Sequence, residues 1–286
     1  MVLTDEAAVR VGDLRKRYGD LTAVGGVDIE IRRGEVFALL GPNGAGKTTT
    51  VEILEGYRHR DGGTVSVLGE DPQHAGRAWR ARIGIVLQLA TEGESAELTV
   101  REIVRHFASF YPKPRDADEV IGLVGLSTKA RSRIHQLSGG QIRRLDVALG
   151  IVGDPELIFL DEPTTGFDPE ARRAFWALIG ELSGSGTTIL LTTHYLDEAE
   201  ALADRVAVIA DGRIRATGTP AQLGGRDARA ATVTWQDNDE RRSTQTSEPT
   251  RVVAELGARY GGEVPGLTVT RPSLEDVYLE LIGGQQ

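Results

Sequence analysis

Four wholly apolar runs punctuate the chain: Val36–Leu40, Leu157–Leu160, Ile189–Leu191 and Val206–Ile209. A strand covered on both faces reads this way, because neither side of its pleat meets water. Val27-Asp-Ile-Glu-Ile31 alternates apolar and polar instead, as a half-exposed strand does, and the region 9–40 is read as mainly β. Helical spacing follows at Lys47–Glu55, then at Val100, Ile103, Val104 and Phe107 within a helical stretch from Leu98 to Leu126. Further helices are expected after Ser138-Gly139-Gly140, around Phe175, Leu178, Ile179 and Leu182, and over Leu196–Leu202. The turn signal Asp61-Gly62-Gly63 precedes a hairpin-like Thr64–Leu68. Strands alternating with helices predict an α/β fold built on a mostly parallel sheet, and the stretch at about 89–150 reads as a helical insertion into it.

The texture changes after about Leu223, which divides the chain into a main domain, 1–223, and a C-terminal α+β region, 224–286. There Thr232–Trp235 reads as a strand, 236–249 as polar and turn-rich, Thr250–Tyr260 as a short helix and Leu267–Thr270 as a strand. Ser273-Leu-Glu-Asp276 matches a capping box that opens a last helix.

Composition narrows the function classes. Of 286 residues, 40% are hydrophobic and 26% charged, an ordinary globular balance. The absence of cysteine excludes disulfides, thiolate metal sites and cysteine nucleophiles. A net charge of -9 argues against sequence-independent nucleic-acid binding, which depends on basic side chains neutralising phosphates. The first residues carry early acids and do not resemble a secretory signal. No run approaches the roughly 18 apolar residues of a membrane span. Any service to a membrane is therefore expected to pass through a partner.

Gly41-Pro-Asn-Gly-Ala-Gly-Lys-Thr48 matches the phosphate-binding pattern G-x-x-x-x-G-K-[ST]. Its glycines let successive N–H groups turn toward one anion, and the following helix adds its positive end. Lys47 is expected at the β- and γ-phosphates and the Thr48 hydroxyl on magnesium. Leu157-Ile-Phe-Leu-Asp-Glu162 ends an apolar strand in two acids at the edge where parallel sheets bind ligands. Asp161 is placed to hold the metal and Glu162 to polarise an attacking water; alone, the pair could equally cap the next turn. His194 and Gln88 each follow an apolar strand, and either by itself is weak evidence. Leu137-Ser-Gly-Gly-Gln141 opens a second helix with two glycines. It reads either as an ordinary serine N-cap or as an anion site that serves a facing chain.

The ordered set Gly41–Thr48, Gln88, Leu137–Gln141, Leu157–Glu162, Asp168 and His194 resembles the ABC ATPase family over roughly residues 9–220. That resemblance implies a phosphate-loop NTPase of ABC type, with an antiparallel β subdomain, an inserted helical subdomain and a small α+β appendage. It implies ATP and Mg2+ as ligands, with ATP contacts at Tyr18, whose ring would stack on adenine, and at Asn43, Gly44, Ala45, Gly46, Lys47, Thr48 and Thr49. Metal contacts are implied at Thr48, Gln88 and Asp161, and catalytic roles for Glu162, His194 and Gln88, the last also touching a transmembrane partner. It implies a head-to-tail homodimer in which Ser138, Gly139, Gly140 and Gln141 face the nucleotide of the other copy and Asp168 communicates across the interface.

The finer likeness is to the drug-export and antibiotic self-resistance branch, through 143–149, Glu162–Pro169 and Ser273–Tyr278. Members of that branch pair with a separate polytopic permease at the cytoplasmic face of the membrane. Phe167 departs from the leucine usual in the wider family. The rival expectation is a non-transport ABC ATPase of DNA repair, chromosome organisation or translation. Against it stand one compact cassette and the absence of long heptads, of zinc-module cysteines and of a basic stripe. No nucleic-acid partner is expected.

Overall fold

The computed structural model describes residues 7–86, 94–237 and 240–283. A long hairpin opens the chain: β1 (Ala7–Tyr18) and β2 (Leu21–Arg32) reverse at Gly19, whose φ of 59° suits a residue without Cβ. After β3 (Val36–Leu40) and α1 (Lys47–Leu54), β4 (Gly62–Val67) returns to β1, giving an antiparallel sheet of order β2-β1-β4. A short helix α2 (Arg77–Arg80) leads into β5 (Ile83–Val86).

The stretch 98–126 is not one helix. It splits into α3 (Val100–Ala108) and α4 (Ala117–Leu123). Pro112 and Pro114 cannot continue a helix, and Asp116 restarts one by accepting hydrogen bonds from Asp118 N and Glu119 N. α5 (Gly139–Ile151) follows, then β6 (Leu157–Asp161), α6 (Pro169–Gly184), β7 (Thr188–Thr193), α7 (Leu196–Leu202), β8 (Arg205–Ala210) and β9 (Arg213–Gly218).

The central sheet has the order β5-β6-β7-β3-β8-β9, parallel except for the β9 edge. Its strands are covered on both faces. Ala38, Leu40, Ile158, Leu160 and Leu191 join the core shared with helices α3 to α6. Phe37, Leu39, Phe159 and Leu190 join the core shared with α1 and the antiparallel sheet. The period-2 alternation of a strand therefore survives here as a choice between two cores.

The C-terminal region forms a second antiparallel sheet, β11-β10-β12, from β10 (Ala231–Asp237), β11 (Glu240–Thr246) and β12 (Thr268–Thr270), with α8 (Pro249–Tyr260) against β10. The strand β11 replaces most of the expected turn-rich segment. It is an edge strand in which only Thr244 and Thr246 are half-buried and the rest exposed, so no apolar alternation marks it. The last helix, α9 (Leu274–Gly283), opens with the expected capping box, with Asp276 N donating to Ser273 Oγ at 3.1 Å and Ser273 N to Asp276 Oδ2 at 2.7 Å. Its Leu274 and Tyr278 belong to the core of the main sheet rather than to the small cluster around Val233, Leu256 and Val264.

Candidate active site

The Gly-rich loop connects β3 to α1 at the C-terminal edge of the parallel strands. Its glycines are required by the chain's own backbone. A Cβ on Gly46, at φ 100°, would lie 2.4 Å from Ala23 O, and one on Gly41 would lie 2.3 Å from Ile209 O. The loop is tied on its outer side by Gly212 N donating to Ala45 O at 3.1 Å. Lys47 is buried and folds back over the loop, its Nζ donating to Gly41 O at 2.6 Å and Pro42 O at 3.2 Å. Burial pulls the Lys47 ammonium below its usual range, while Glu162 and Asp161 oppose that shift. The loop borders a cleft of about 520 Å3 whose walls include Tyr18, Asn43, Gly44, Gly46, Thr48, Thr49 and Glu162. Tyr18 is 40% exposed there, with the Arg58 guanidinium 5.3 Å from its ring centroid.

The acids at the end of β6 face this loop. Glu162 Oε1 lies 3.8 Å from Lys47 Nζ and 3.1 Å from His194 Nδ1, the latter without the alignment of a hydrogen bond. Glu162 holds a φ of 43°, a left-handed backbone that a residue with a Cβ adopts at a cost. Its N–H is bonded to Thr192 O at 3.1 Å and Thr192 Oγ1 at 3.2 Å. The Thr192 hydroxyl also donates to Asp161 Oδ1. From behind, the buried Arg143 of α5 donates to Pro163 O and Asp161 O, both at 3.1 Å. The strained turn is thus pinned from β7 and from α5.

Thr192 and Arg143 are positions that the sequence reading did not assign. Two hydroxyl residues closing an apolar strand at the ligand edge, Thr192-Thr193, were the available signal for the first. Arg143 carried no local signal, since only the packing of α5 brings it under the turn.

The expected set is thereby divided. Tyr18, Asn43, Gly44, Gly46, Lys47, Thr48, Thr49 and Glu162 share one cleft, with Ala45 buried in its wall, and Asp161 and His194 adjoin Glu162. Ser138, Gly139, Gly140 and Gln141 do not line that cleft. They form the N-terminus of α5, with Ser138 Oγ accepting from Gln141 N at 3.4 Å and Gln141 Oε1 accepting from Ser138 N at 3.0 Å. Asp168 is the exposed N-cap of α6 and accepts from Ala171 N at 2.8 Å. Gln88 lies outside the described residues.

A second concavity of about 490 Å3 opens between the sheet and the helical insertion, lined by Glu55, Tyr57, Ile85, Phe107, Tyr111 and Leu149. Tyr57 and the neighbouring Phe110 are each 64% exposed. Burial, with Asp161 and Glu52 adding to it, pushes the Glu55 carboxyl up to about 8. Among the described residues no helix is long and apolar enough to cross a membrane.

Residues 24–165 match the family model described as ABC transporter. The chain is 36% identical to a daunorubicin resistance ATP-binding protein of Streptomyces coeruleorubidus, over 97% of this chain and 96% of that one. It is 44% identical to the Nod factor export ATP-binding protein I of Ralstonia nicotianae, over 74% of this chain and 67% of the relative. Among solved structures it resembles cbiO1 of Clostridium perfringens, part of an ABC transporter complex, with a TM-score of 0.69 and 29% identity over 76% of this chain and 90% of that one. It also resembles an ABC-transporter cassette in its ADP conformation, with a TM-score of 0.66 and 26% identity over 74% of this chain and 91% of that one.

Proposed function

For this chain, which belongs to the ATP-binding subunits of ABC transporters, in their export branch, we propose how the residues described above bind ATP and hydrolyse it. Subunits of this kind are ATPases that power transport, work with separate membrane permeases and dimerise.

The single observation that carries the assignment is the convergence of Lys47, Glu162 and His194 at the mouth of the Gly-rich loop. The phosphates lie along the N–H groups of residues 43–48, where the end of α1 also favours anions. Lys47 leaves the carbonyls of Gly41 and Pro42 for the β- and γ-phosphates, recovering the charge partner that burial demands. Tyr18 stacks on adenine. Glu162 takes a proton from the water whose oxygen bonds the γ-phosphorus as the bond to ADP breaks. His194 fixes the γ-phosphate beside it.

The Thr48 hydroxyl and the Asp161 carboxylate are hard oxygen donors at the cleft, the set Mg2+ takes when phosphates and water supply its remaining ligands. Mg2+ would there neutralise phosphate charge. Ser138–Gln141 of a second copy closes over the γ-phosphate, with Asp168 at the seam. ATP thereby holds the dimer closed and its hydrolysis releases it.

The permease docks in the groove of Tyr57, Phe107 and Tyr111, where exposed aromatic surface is concentrated at the junction of the two lobes. Daunorubicin resistance and Nod factor export in the relatives' names support export; the cargo on this reading is a drug, an antibiotic or another hydrophobic compound, and its choice belongs to the permease. On this reading the chain sits at the cytoplasmic face of the membrane.

Glu162→Gln tests the chemistry. ATP binding should survive and turnover should fall by about 10²–10⁴-fold, the range for loss of a general base, with an ATP-bound dimer accumulating on gel filtration. Unaltered turnover would remove Glu162 from the role of base.

A further inference from the structure

Glu198 lies in the first turn of α7 and is wholly buried. Three other segments meet around it. The turn after β6 brings Thr164, the end of β7 brings Thr193, and α6 brings Arg172 and Trp176, and both threonines are fully buried. Burial pushes the Glu198 carboxyl up. Thr193, Thr164 and Trp176 stand close enough to favour its charged form, and Arg172 adds its charge. None of these contacts is aligned as a hydrogen bond. Both carboxylate oxygens, Thr164 Oγ1, Trp176 Nε1 and Arg172 Nε are buried without one. Buried polar groups in folded proteins are almost always paired, so several unaligned groups at one point require an explanation.

Their positions supply one. Thr164 belongs to the tight turn that carries Glu162, closed by Thr165 N donating to Glu162 O at 3.3 Å and Phe167 N to Thr164 O at 3.0 Å. That turn cannot shift without moving Thr164. Thr193 directly precedes His194, and its Oγ1 already accepts from Tyr195 N at 2.9 Å, which leaves its proton to donate. Arg172 lies over the Tyr195 ring at 5.1 Å, and Tyr195 lies against the His194 ring at 4.1 Å between centroids. Both threonines beside Glu198 thus sit on the segments that carry Glu162 and His194, and Arg172 reaches His194 through Tyr195.

We propose that Glu198 is a positioning residue of the ATPase site, whose carboxylate gathers the Thr164 and Thr193 hydroxyls when the site closes on nucleotide and so fixes Glu162 and His194 relative to one another. In the structure the donors and the acceptor are adjacent but not aligned.

The test is steady-state ATP hydrolysis by the full chain, with kcat and KM measured for Glu198→Ala, Glu198→Gln, Thr164→Val and the double variant Glu198→Ala/Thr164→Val. Misplacing a reacting group by about 1 Å can cost about 10²-fold in rate, so kcat of Glu198→Ala should fall by about tenfold or more, up to roughly that factor, while KM stays within about twofold. Glu198→Gln keeps an acceptor in the same volume and should recover most of the rate. Thr164→Val should lose rate without losing thermal stability, and the double variant should be no worse than the poorer single one. Unchanged kcat in Glu198→Ala, or a Gln variant as slow as Ala, overturns the proposal. If Glu198→Ala does not fold, Thr164→Val alone decides, and a wild-type kcat in it overturns the proposal. The inference rests on Glu162 and His194 acting at the γ-phosphate, so Glu162→Gln is measured alongside. Full turnover there breaks that assignment, whereas loss there with none at Glu198 breaks only this one.

Discussion

Glycines stand at the entrances of both α1 and α5, and they answer to different neighbours. Ahead of α1, Gly41 and Gly46 sit where a Cβ would strike backbone oxygens at 2.3 and 2.4 Å, and Lys47 is buried across the loop. In the first turn of α5, a Cβ on Gly139 would meet nothing within 4 Å, and one on Gly140 only the Ala171 Cβ at 3.8 Å, an ordinary contact. The first loop is shaped by its own chain. The second is left open by it, although Ser138 and Gln141 already close a capping box there. A side chain that the fold would accept but the sequence omits leaves room for something from outside the chain. The proposed nucleotide of a second copy fits that description.

Substitutions can break this contrast. The largest effect is expected from Lys47→Ala, which deletes a charge-assisted hydrogen bond of roughly 1.5–3 kcal/mol to each phosphate it reaches. Titration with a fluorescent ATP analogue should show affinity reduced by one to several factors of about ten, and an unchanged Kd would leave the loop without its assigned role. Gly46→Ala comes next. Its φ of 100° alone costs on the order of 1–3 kcal/mol in a residue with a Cβ, before the clash with Ala23 is counted. Both melting temperature and ATP affinity should drop, and a variant that melts like wild type would mean that the loop is not held as described.

The far end of α1 offers a smaller test. Glu55 is raised from 4.5 to about 8 in the fold, so the folded state holds its proton where the unfolded chain has released it. Its ionisation therefore opposes folding, and stability falls as pH rises from about 4.5 to about 8. Glu55→Gln should leave the melting temperature near wild type at pH 5 and raise it by on the order of a few degrees at pH 8. Equal shifts at both pH values would refute the burial argument. Gly140→Ala should change stability least and in the favourable direction, by up to about 1 kcal/mol, because alanine is the better helix former. Monomer affinity for ATP should stay within about twofold while turnover falls by about tenfold or more, as for other misplaced active-site contacts. A variant that is both stable and fully active would remove the second glycine pair from the site.

Much of the site was legible because its constraints are local. Gly41–Thr48 follows an apolar strand and opens a helix in the sequence as in the fold. Asp161 and Glu162 close the run Leu157–Leu160. The split of 98–126 into two helices is also written locally, in Pro112, Pro114 and Asp116, although the apolar spacing at Val100–Phe107 by itself favours one continuous helix. The strand β11 was not legible at all. With one face in solvent and only Thr244 and Thr246 half-buried on the other, its seven residues carry no apolar period, and it is a strand only because β10 lies beside it.

By itself the sequence determined the covered strands, the Gly-rich loop and the candidate acids, since each follows from the burial pattern or backbone freedom of a few consecutive residues. Only the tertiary structure decided what those residues meet. The parallel register that sets Asp161 opposite Thr192 delivers the hydroxyl that holds it. The packing of α5 slides Arg143 beneath the strained turn. The start of α7 buries Glu198 against the two segments that carry Glu162 and His194. These contacts join residues five to thirty-four positions apart, and no local spacing encodes them, because the distance between two side chains is fixed by the strands and helices packed between them.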